Sequence, residues 1–598
     1  MKIFKSKRLL SGLFCILSVS AISSFGGSPS SAISKESMIP NSLLSVLASP
    51  CVFMMYEKFF RTHDLQDGKQ RPAFALLLLA FAESLIVTLG ISFSGTGSAA
   101  LLYDQPVYFL LMVLGRFPLD LVMVTLRQDA RAAGSETRSS DSRGAGKLLT
   151  GRFSAVILLC WIPWVICLFP GLVSYDAKNQ ILEMIGRRPL SDANPIFQTL
   201  YLGLFYHFGL IFHNISIGIA LYTMVQTGLM VWLLGAIVRE IYVSKAPAWL
   251  YQLSLAFFAL LPVFPIYSLT ITKDVYFGMG LGLFSLVLYH FMKLSIEPQW
   301  KSRDRIRVTI FLSIGAILCT LLRNAGIFLT ASILTILVIY FLVHRNRPFA
   351  LSCGVSLTAV VLVYGMVHTV MLPGFRIDPA PEAEFLNLPL QQTGRILSGC
   401  ELPEEQMEII DRVFAFEDGA VPYDPNISDS MKRAWRMSGA TDEEQQAFWN
   451  LYPELMWEHK GTAVSAVFHS CYGYLCPGYT LVSKPVLFHQ CAYEYFAEDN
   501  AYWINPLTGP AQSLAAQFMK NPIFCFFAAP GFYGVLVLLA AALLLTRKNF
   551  PYLVCTFPAI FLLLGCLMGP VNGYLRYAFP LYILTPFLLM LVSQAQKR

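Results

Sequence analysis

Charge is scarce in this chain. Of its 598 residues only 14% are Asp, Glu, Lys or Arg, and 55% are apolar or aromatic. A soluble domain carries roughly a quarter charged residues and has no use for so large an apolar share, so a single water-soluble core is excluded. No internal repeat is evident, which argues against the paired halves common among secondary transporters. A dense basic run is missing too. Lys and Arg are scattered over short segments, which argues against a nucleic-acid surface. Thirteen cysteines are present, but none follows a standard zinc spacing well.

What the chain has instead is apolar blocks of roughly 17 to 25 residues, the length that crosses about 30 Å of hydrocarbon as a helix. About fourteen are legible, centred near positions 18, 49, 84, 116, 163, 227, 258, 286, 315, 335, 360, 535, 560 and 585. The expected fold class is an all-α polytopic membrane protein. Cytoplasmic loops are enriched in Lys and Arg. The basic segments are Lys2 to Arg8, Lys58 to Arg71, Arg127 to Arg152, Arg239 with Lys245, Lys301 to Arg307, Arg345 with Arg347, Arg547 with Lys548, and Lys597-Arg598. With fourteen spans all of these fall on one side, which is then cytoplasmic and holds both termini. The first block is read as an uncleaved anchor, the alternative being a cleaved signal peptide.

The expected organisation is a four-helix membrane unit (1–130), a cytoplasmic linker (131–152) rich in Ser, Arg and Gly, a membrane core (153–372) with a first extracytoplasmic loop (174–214), a domain at 373–520, and three final helices (521–598). The domain carries twenty Asp and Glu against nine Lys and Arg, although the whole chain has net charge +7. Helix parity places it outside the cell. Segments 403–417 and 442–460 combine acidic starts with apolar residues at helical spacing, so the domain is expected to be mostly helical. Of its cysteines, Cys400, Cys471, Cys476 and Cys491 could pair in three ways or remain thiols. His469 and His489 each precede a Cys by two residues, and disulfides or thiols are favoured there over metal binding. The Asn214 and Asn426 sequons are read as chance matches.

The most informative stretch runs from Trp161 to Gly209, WIPWVICLFPGLVSYDAKNQILEMIGRRPLSDANPIFQTLYLGLFYHFG. A helix leaves the membrane, a polar turn presents Asp176, and two short amphipathic pieces follow, the second resting along the outer interface. A carboxylate held at that boundary suits general-base work on a hydroxyl; the plainer alternative is that Asp176 caps the helix beginning at Ala177. Lys273 and Asp274, Arg323 and Asn324, and Arg576 and Tyr577 reach the same outer level at the ends of other spans. Each alone is compatible with an interfacial anchor. Together with Arg187 and Arg188 they place several cations on the face that carries Asp176, and Arg grips phosphate bidentately.

This order of features resembles the GT-C superfamily of integral membrane glycosyltransferases, which includes protein O-mannosyltransferases and lipid A aminoarabinose transferases. Asp176 matches the acidic residue that follows the first core helix in those enzymes, and NPIFQTLYLGLFYHFG resembles their second juxtamembrane helix. Asp274 resembles an acidic residue at a later outer turn, and Arg576-Tyr577 the Arg-Tyr before a late helix. Asn194-Pro195 departs from the His-Pro of many members. The resemblance covers roughly Phe153 to the C-terminus, and neither the four leading helices nor the domain after Pro373 belongs to the shared core. It implies a GT-C-like core and a polyprenyl-phosphate sugar as donor, with an extracytoplasmic acceptor. It further implies catalytic roles for Asp176 and Asp274, donor-phosphate contacts from Arg323, Arg576, Lys273, Arg187 and Arg188, and a site lined also by Tyr175, Gln180, Asn194, Asn324 and Tyr577. Some such enzymes need a divalent cation, which Asp176 and Asp274 could share if they converge. The rival readings are a flippase of lipid-linked saccharides and a polysaccharide polymerase or ligase.

Overall fold

A backbone that leaves water for hydrocarbon must satisfy its N–H and C=O groups internally, and a helix does so within one segment. The long apolar runs fold accordingly. The computed structural model describes residues 7–23, 49–50, 52–57, 74–129, 143–244, 246–297, 300–477, 503, 505–520 and 525–595. Among them, eight helices are long and apolar enough to cross a membrane: Leu76–Ser94, Leu148–Leu168, Ile215–Val243, Lys273–Ser295, Ser302–Leu322, Gly326–Val343, Arg347–Gly374 and Leu575–Gln594. The chain is a helical protein of multi-pass membrane character. Each of the eight coincides with an expected centre. The blocks expected near 258, 535 and 560 form the shorter apolar helices Ala248–Leu260, Pro530–Thr546 and Phe557–Leu567, and the one near 116 is apolar over Pro106–Pro118. A 17-residue helix, Lys7–Ser23, covers the centre near 18. Most of the segment around position 49 before the short run 52–57 lies outside the described residues. The helix Arg143–Leu168 reaches back into the expected linker.

Two helices form the middle of the bundle. Lys273–Ser295 and Leu575–Gln594 are 78% and 89% buried over their apolar windows, whereas Leu148–Leu168 is 17% buried and peripheral. Small residues permit the close approach: a Cβ on Gly315 would come within 3.3 Å of the Phe284 backbone, so Ser302–Leu322 lies tightly on the central helix. The peripheral helix is fastened by a polar contact, Trp161 Nε1 donating to the Phe258 carbonyl at 3.1 Å in the buried interior.

Residues 375–477 form a helical domain around Leu390, Ile396, Ile410, Phe414, Met431, Trp435, Phe448 and Leu455. The two expected helices appear as Glu404–Val413 and Asp442–Glu458. The second starts with a reciprocal capping box between Thr441 and Glu444. The domain is seated on the membrane bundle by backbone pairing. The Ser428 N–H donates to the Pro570 carbonyl at 2.8 Å, and the buried Asn572 side chain accepts from the Gly473 N–H at 2.8 Å while donating to Asn426 Oδ1 at 3.0 Å. The N-terminal unit touches it too, through Arg395 Nη2 donating to the Gly97 carbonyl at 2.7 Å. Cys400, Cys471 and Cys476 are free thiols; Cys491 and His489 lie outside the described residues. His469 is buried beside Arg395, 3.0 Å from Nη1, and burial followed by that guanidinium pushes its pKa down to about 4. Asn214 caps the helix Ile215–Val243 with its side chain.

Candidate active site

Two very short strands set the geometry. Leu172–Val173 and Thr270–Ile271 pair in parallel, with Leu172 opposite Thr270 and Val173 opposite Ile271. Each strand runs straight into a helix, Tyr175–Met184 after the first and Lys273–Ser295 after the second. Parallel pairing in this register therefore brings two helix N-termini side by side, with Asp176 in the first turn of one and Asp274 in the first turn of the other. Carboxylates are favoured there by the partial positive charge of the helix end. The turn is held by Gln226 Nε2, which donates to the Ser268 and Thr270 carbonyls, each at 2.9 Å. Gly171, at φ 137°, must be glycine because a Cβ would run into the Thr223 side chain and approach the Leu269 carbonyl. Ser174 caps the first helix, its Oγ accepting from the Ala177 N–H, so Asp176 is not the cap and its carboxylate is turned to other partners.

The two carboxylates meet cations from the second helix itself and from two further segments. Arg576 donates through Nη2 to Asp176 and through Nε to Asp274, so one guanidinium joins both carboxylates. Lys273 Nζ lies 3.6 Å from Asp176 Oδ2 and donates to Asn194 Oδ1 at 2.9 Å. Arg323 Nη1 stands 3.7 Å from Asp274 Oδ1. The Tyr577 ring lies near both arginines, 5.5 Å from the Arg323 guanidinium and 5.9 Å from that of Arg576. Asp274 and Arg576 are almost fully buried, and the Asp176 side chain is 27% exposed. The cluster thus has a buried end at Asp274 and an open end at Asp176.

The open end faces a cavity of about 950 Å³. Its floor is built by Tyr175, Asp176, Asn179, Glu183, Arg188, Asn194 and Lys273, with Tyr574, Arg576 and Tyr577 behind. The domain at 375–477 supplies a roof of Glu384, Asp429, Lys432, Arg433 and Arg436. Glu183 is 8% exposed and its Oε2 has no hydrogen-bond partner among the described residues. Burial pushes its pKa up to about 7, against the pull of the Ser191 backbone N–H and of Arg188.

The sequence profile of a family of unknown function, DUF6020, matches residues 186–598. The chain belongs to that family. The match takes in Asp274, Arg323, Arg576 and the whole roof, and begins after Asp176. No curated protein and no solved structure matches the chain.

In this DUF6020 protein the residues singled out from sequence divide clearly. Tyr175, Asp176, Arg188, Asn194, Lys273, Arg576 and Tyr577 line one cavity, with Asp274 and Arg323 directly behind it. Gln180 does not line it: the side chain is fully buried and donates to Thr199 Oγ1 at 3.0 Å, because it faces the neighbouring helix Ile196–Ile211. Arg187 is exposed in the turn after Tyr175–Met184 and lies off the cavity. Asn324 donates to the Asp192 carbonyl at 2.6 Å and lines a separate small pocket, so it braces the loop that carries Asn194. Asp176 and Asp274 do converge, but on a guanidinium. A divalent ion would have to displace Arg576, and no group of three metal-ligating His, Cys, Asp or Glu occurs among the described residues; the residues present do not fit a shared ion. Glu183, Glu384, Asp429, Lys432, Arg433 and Arg436 were not singled out from sequence. Glu183 had a usable signal, a carboxylate seven positions after Asp176 on one short helix, two turns along the same face. The roof residues had none.

Proposed function

We propose that this protein is a membrane glycosyltransferase resembling the GT-C enzymes, moving a sugar from a polyprenyl-phosphate donor to an extracytoplasmic acceptor. The observation that carries the reading is the meeting of Asp176, Lys273, Asp274, Arg323 and Arg576, far apart in sequence, at the end of a membrane bundle beneath a cavity large enough for a sugar. On this reading the domain at 373–520 faces outward and shapes the acceptor side of the cavity.

The chemistry assigned to the cluster is a displacement at the anomeric carbon. Asp176, at the open end, accepts the proton of the acceptor hydroxyl; the acceptor oxygen bonds to the anomeric carbon as the bond from that carbon to the phosphate oxygen breaks, and the lipid phosphate departs with the electron pair. Lys273, beside Asp176 and lining the cavity, is placed to meet the charge that develops on the departing phosphate. Asp274 and Arg323 act at one remove, fixing Arg576 and through it Asp176. The test is purified protein with a polyprenyl-phosphate sugar and an acceptor extract, wild type beside Asp176→Asn. Turnover should fall by roughly 10²- to 10⁴-fold. Robust transfer by the Asn variant would remove Asp176 as the base, and absence of transfer by the wild type together with saccharide movement across vesicles would favour a flippase.

A further inference from the structure

Between residues 373 and 520 acidic residues outnumber basic ones by twenty to nine, yet three of the nine cations, Lys432, Arg433 and Arg436, stand on one short helix, Asp429–Met437, and all three line the cavity. They are not equivalent. Lys432 is buried and neutralised, its Nζ 2.9 Å from Glu384 and 2.8 Å from Asp429. Arg436 is held loosely, 3.7 Å from Glu384. Arg433 is exposed to the cavity and makes no ion pair or hydrogen bond among the described residues. On the floor Arg188 donates to Asn179 Oδ1 at 3.1 Å and acts on Glu183 through space, but makes no ion pair among the described residues. Of the arginines expected from sequence to bind phosphate, Arg323 and Arg576 face carboxylates, Arg187 lies off the cavity, and Arg188 lines it.

The cavity therefore presents guanidinium groups outside any ion pair among the described residues from two parts of the chain, the loop after Tyr175–Met184 and the helix Asp429–Met437, and the balance of its lining favours an anion. Six cations line it, Arg188, Lys273, Lys432, Arg433, Arg436 and Arg576, against four carboxyl groups, of which Glu183 is partly protonated near neutral pH. Guanidinium groups bind phosphate through paired charge-assisted hydrogen bonds, and two of them lining one cavity can share its oxygens. We propose that the cavity binds a phosphate or pyrophosphate group between Arg188 of the floor and Arg433, assisted by Arg436, of the roof. This rests on reading the cavity as a substrate site and not on the transfer of a sugar. A bound oxyanion would also tie the roof to the membrane bundle.

The experiment uses the full chain in nanodiscs of zwitterionic lipid, titrated calorimetrically with inorganic pyrophosphate. The wild type should bind saturably and more weakly as salt is raised. Arg188→Gln and Arg433→Gln should each weaken binding by about tenfold or more, as loss of a hydrogen bond to a charged group does, and the double variant should show none. Because both side chains are exposed, unchanged heat-denaturation midpoints will verify that the variants are folded. A second set of discs containing phosphatidylglycerol separates the sources of the phosphate: competition assigns the site to a lipid headgroup, and unchanged affinity assigns it to a soluble or acceptor-borne phosphate. Asp176→Asn should retain pyrophosphate binding even where transfer is lost, so the failure of one reading is distinguishable from that of the other. Absence of binding by the wild type, or equal binding by the double variant, overturns the proposal.

Discussion

Replacing Arg576 with Met tests the architecture of the cluster directly. Arg576 is 5% exposed, and its guanidinium joins Asp274, 1% exposed, to Asp176. Without it Asp274 retains the Thr272 hydroxyl at 3.2 Å and Arg323 at 3.7 Å, too little for a buried carboxylate. Removing one partner of a buried ion pair costs about 3–5 kcal/mol, chiefly because the other charge is left uncompensated. Asp176 adds little to that figure, since water reaches it. With an unfolding entropy of about 2.1 cal/mol/K per residue, a chain of 598 residues should lose roughly 3 °C of its melting midpoint. The decisive comparison is Arg576→Met with Asp274→Leu, because exchanging a buried pair for apolar side chains is often neutral; the double variant should recover most of the loss. Buried thiols such as Cys319, Cys353, Cys555 and Cys566 make a thiol-reactive dye in detergent a suitable reporter of melting. If Arg576→Met melts with the wild type, or the double variant melts no higher than the single one, the buried ion pair does not hold the site together.

Glu183 gives a pH signature. Its folded pKa of about 7 lies above a carboxyl's ordinary 4.5, so the unfolded chain ionises first; stability falls as pH rises from 4.5 to 7 and then stays lower by at most about 3 kcal/mol. Glu183→Gln should melt above the wild type at pH 8 and with it at pH 4, and equal midpoints at pH 8 would refute the burial argument. Asn572→Leu leaves the Gly473 N–H and Asn426 without their buried partner, about 1–3 kcal/mol for each group, so limited proteolysis should cut the domain at 375–477 faster while the membrane helices stay protected; an unchanged digest would show that Asn572 does not seat the roof. A single cysteine at the exposed position Glu443, in a cysteine-free background, should react with an impermeant thiol reagent in intact cells. Reaction only after permeabilisation would reverse the topology and move the proposed chemistry to the other side.

The membrane helices were legible in the sequence because hydropathy is a local sum: twenty apolar residues make a span whatever surrounds them. The same locality made Asp176, Lys273, Asp274, Arg323 and Arg576 visible, since a charge at the edge of an apolar block stands out. Locality also set the limit. Asp176 and Arg576 are 400 positions apart, and Asp274 and Arg576 are 302, and no property of either neighbourhood states that they meet. The parallel pairing of two two-residue strands, too short to leave a pattern, brings Asp176 and Asp274 together, and the packing of the helix Leu575–Gln594 into the middle of the bundle brings Arg576 to both. The face on which a side chain emerges was equally undecided. Gln180 and Glu183 share one short helix, yet Gln180 turns into the helix Ile196–Ile211 and Glu183 lines the cavity, which is a matter of what lies against each side. Arg433 and Arg436 read in sequence as ordinary surface charges of an acidic domain. Only the seating of that domain through Ser428, Asn426 and Asn572 turns them into the wall of a site, because an electrostatic surface belongs to the assembled cavity and not to the segment that contributes to it.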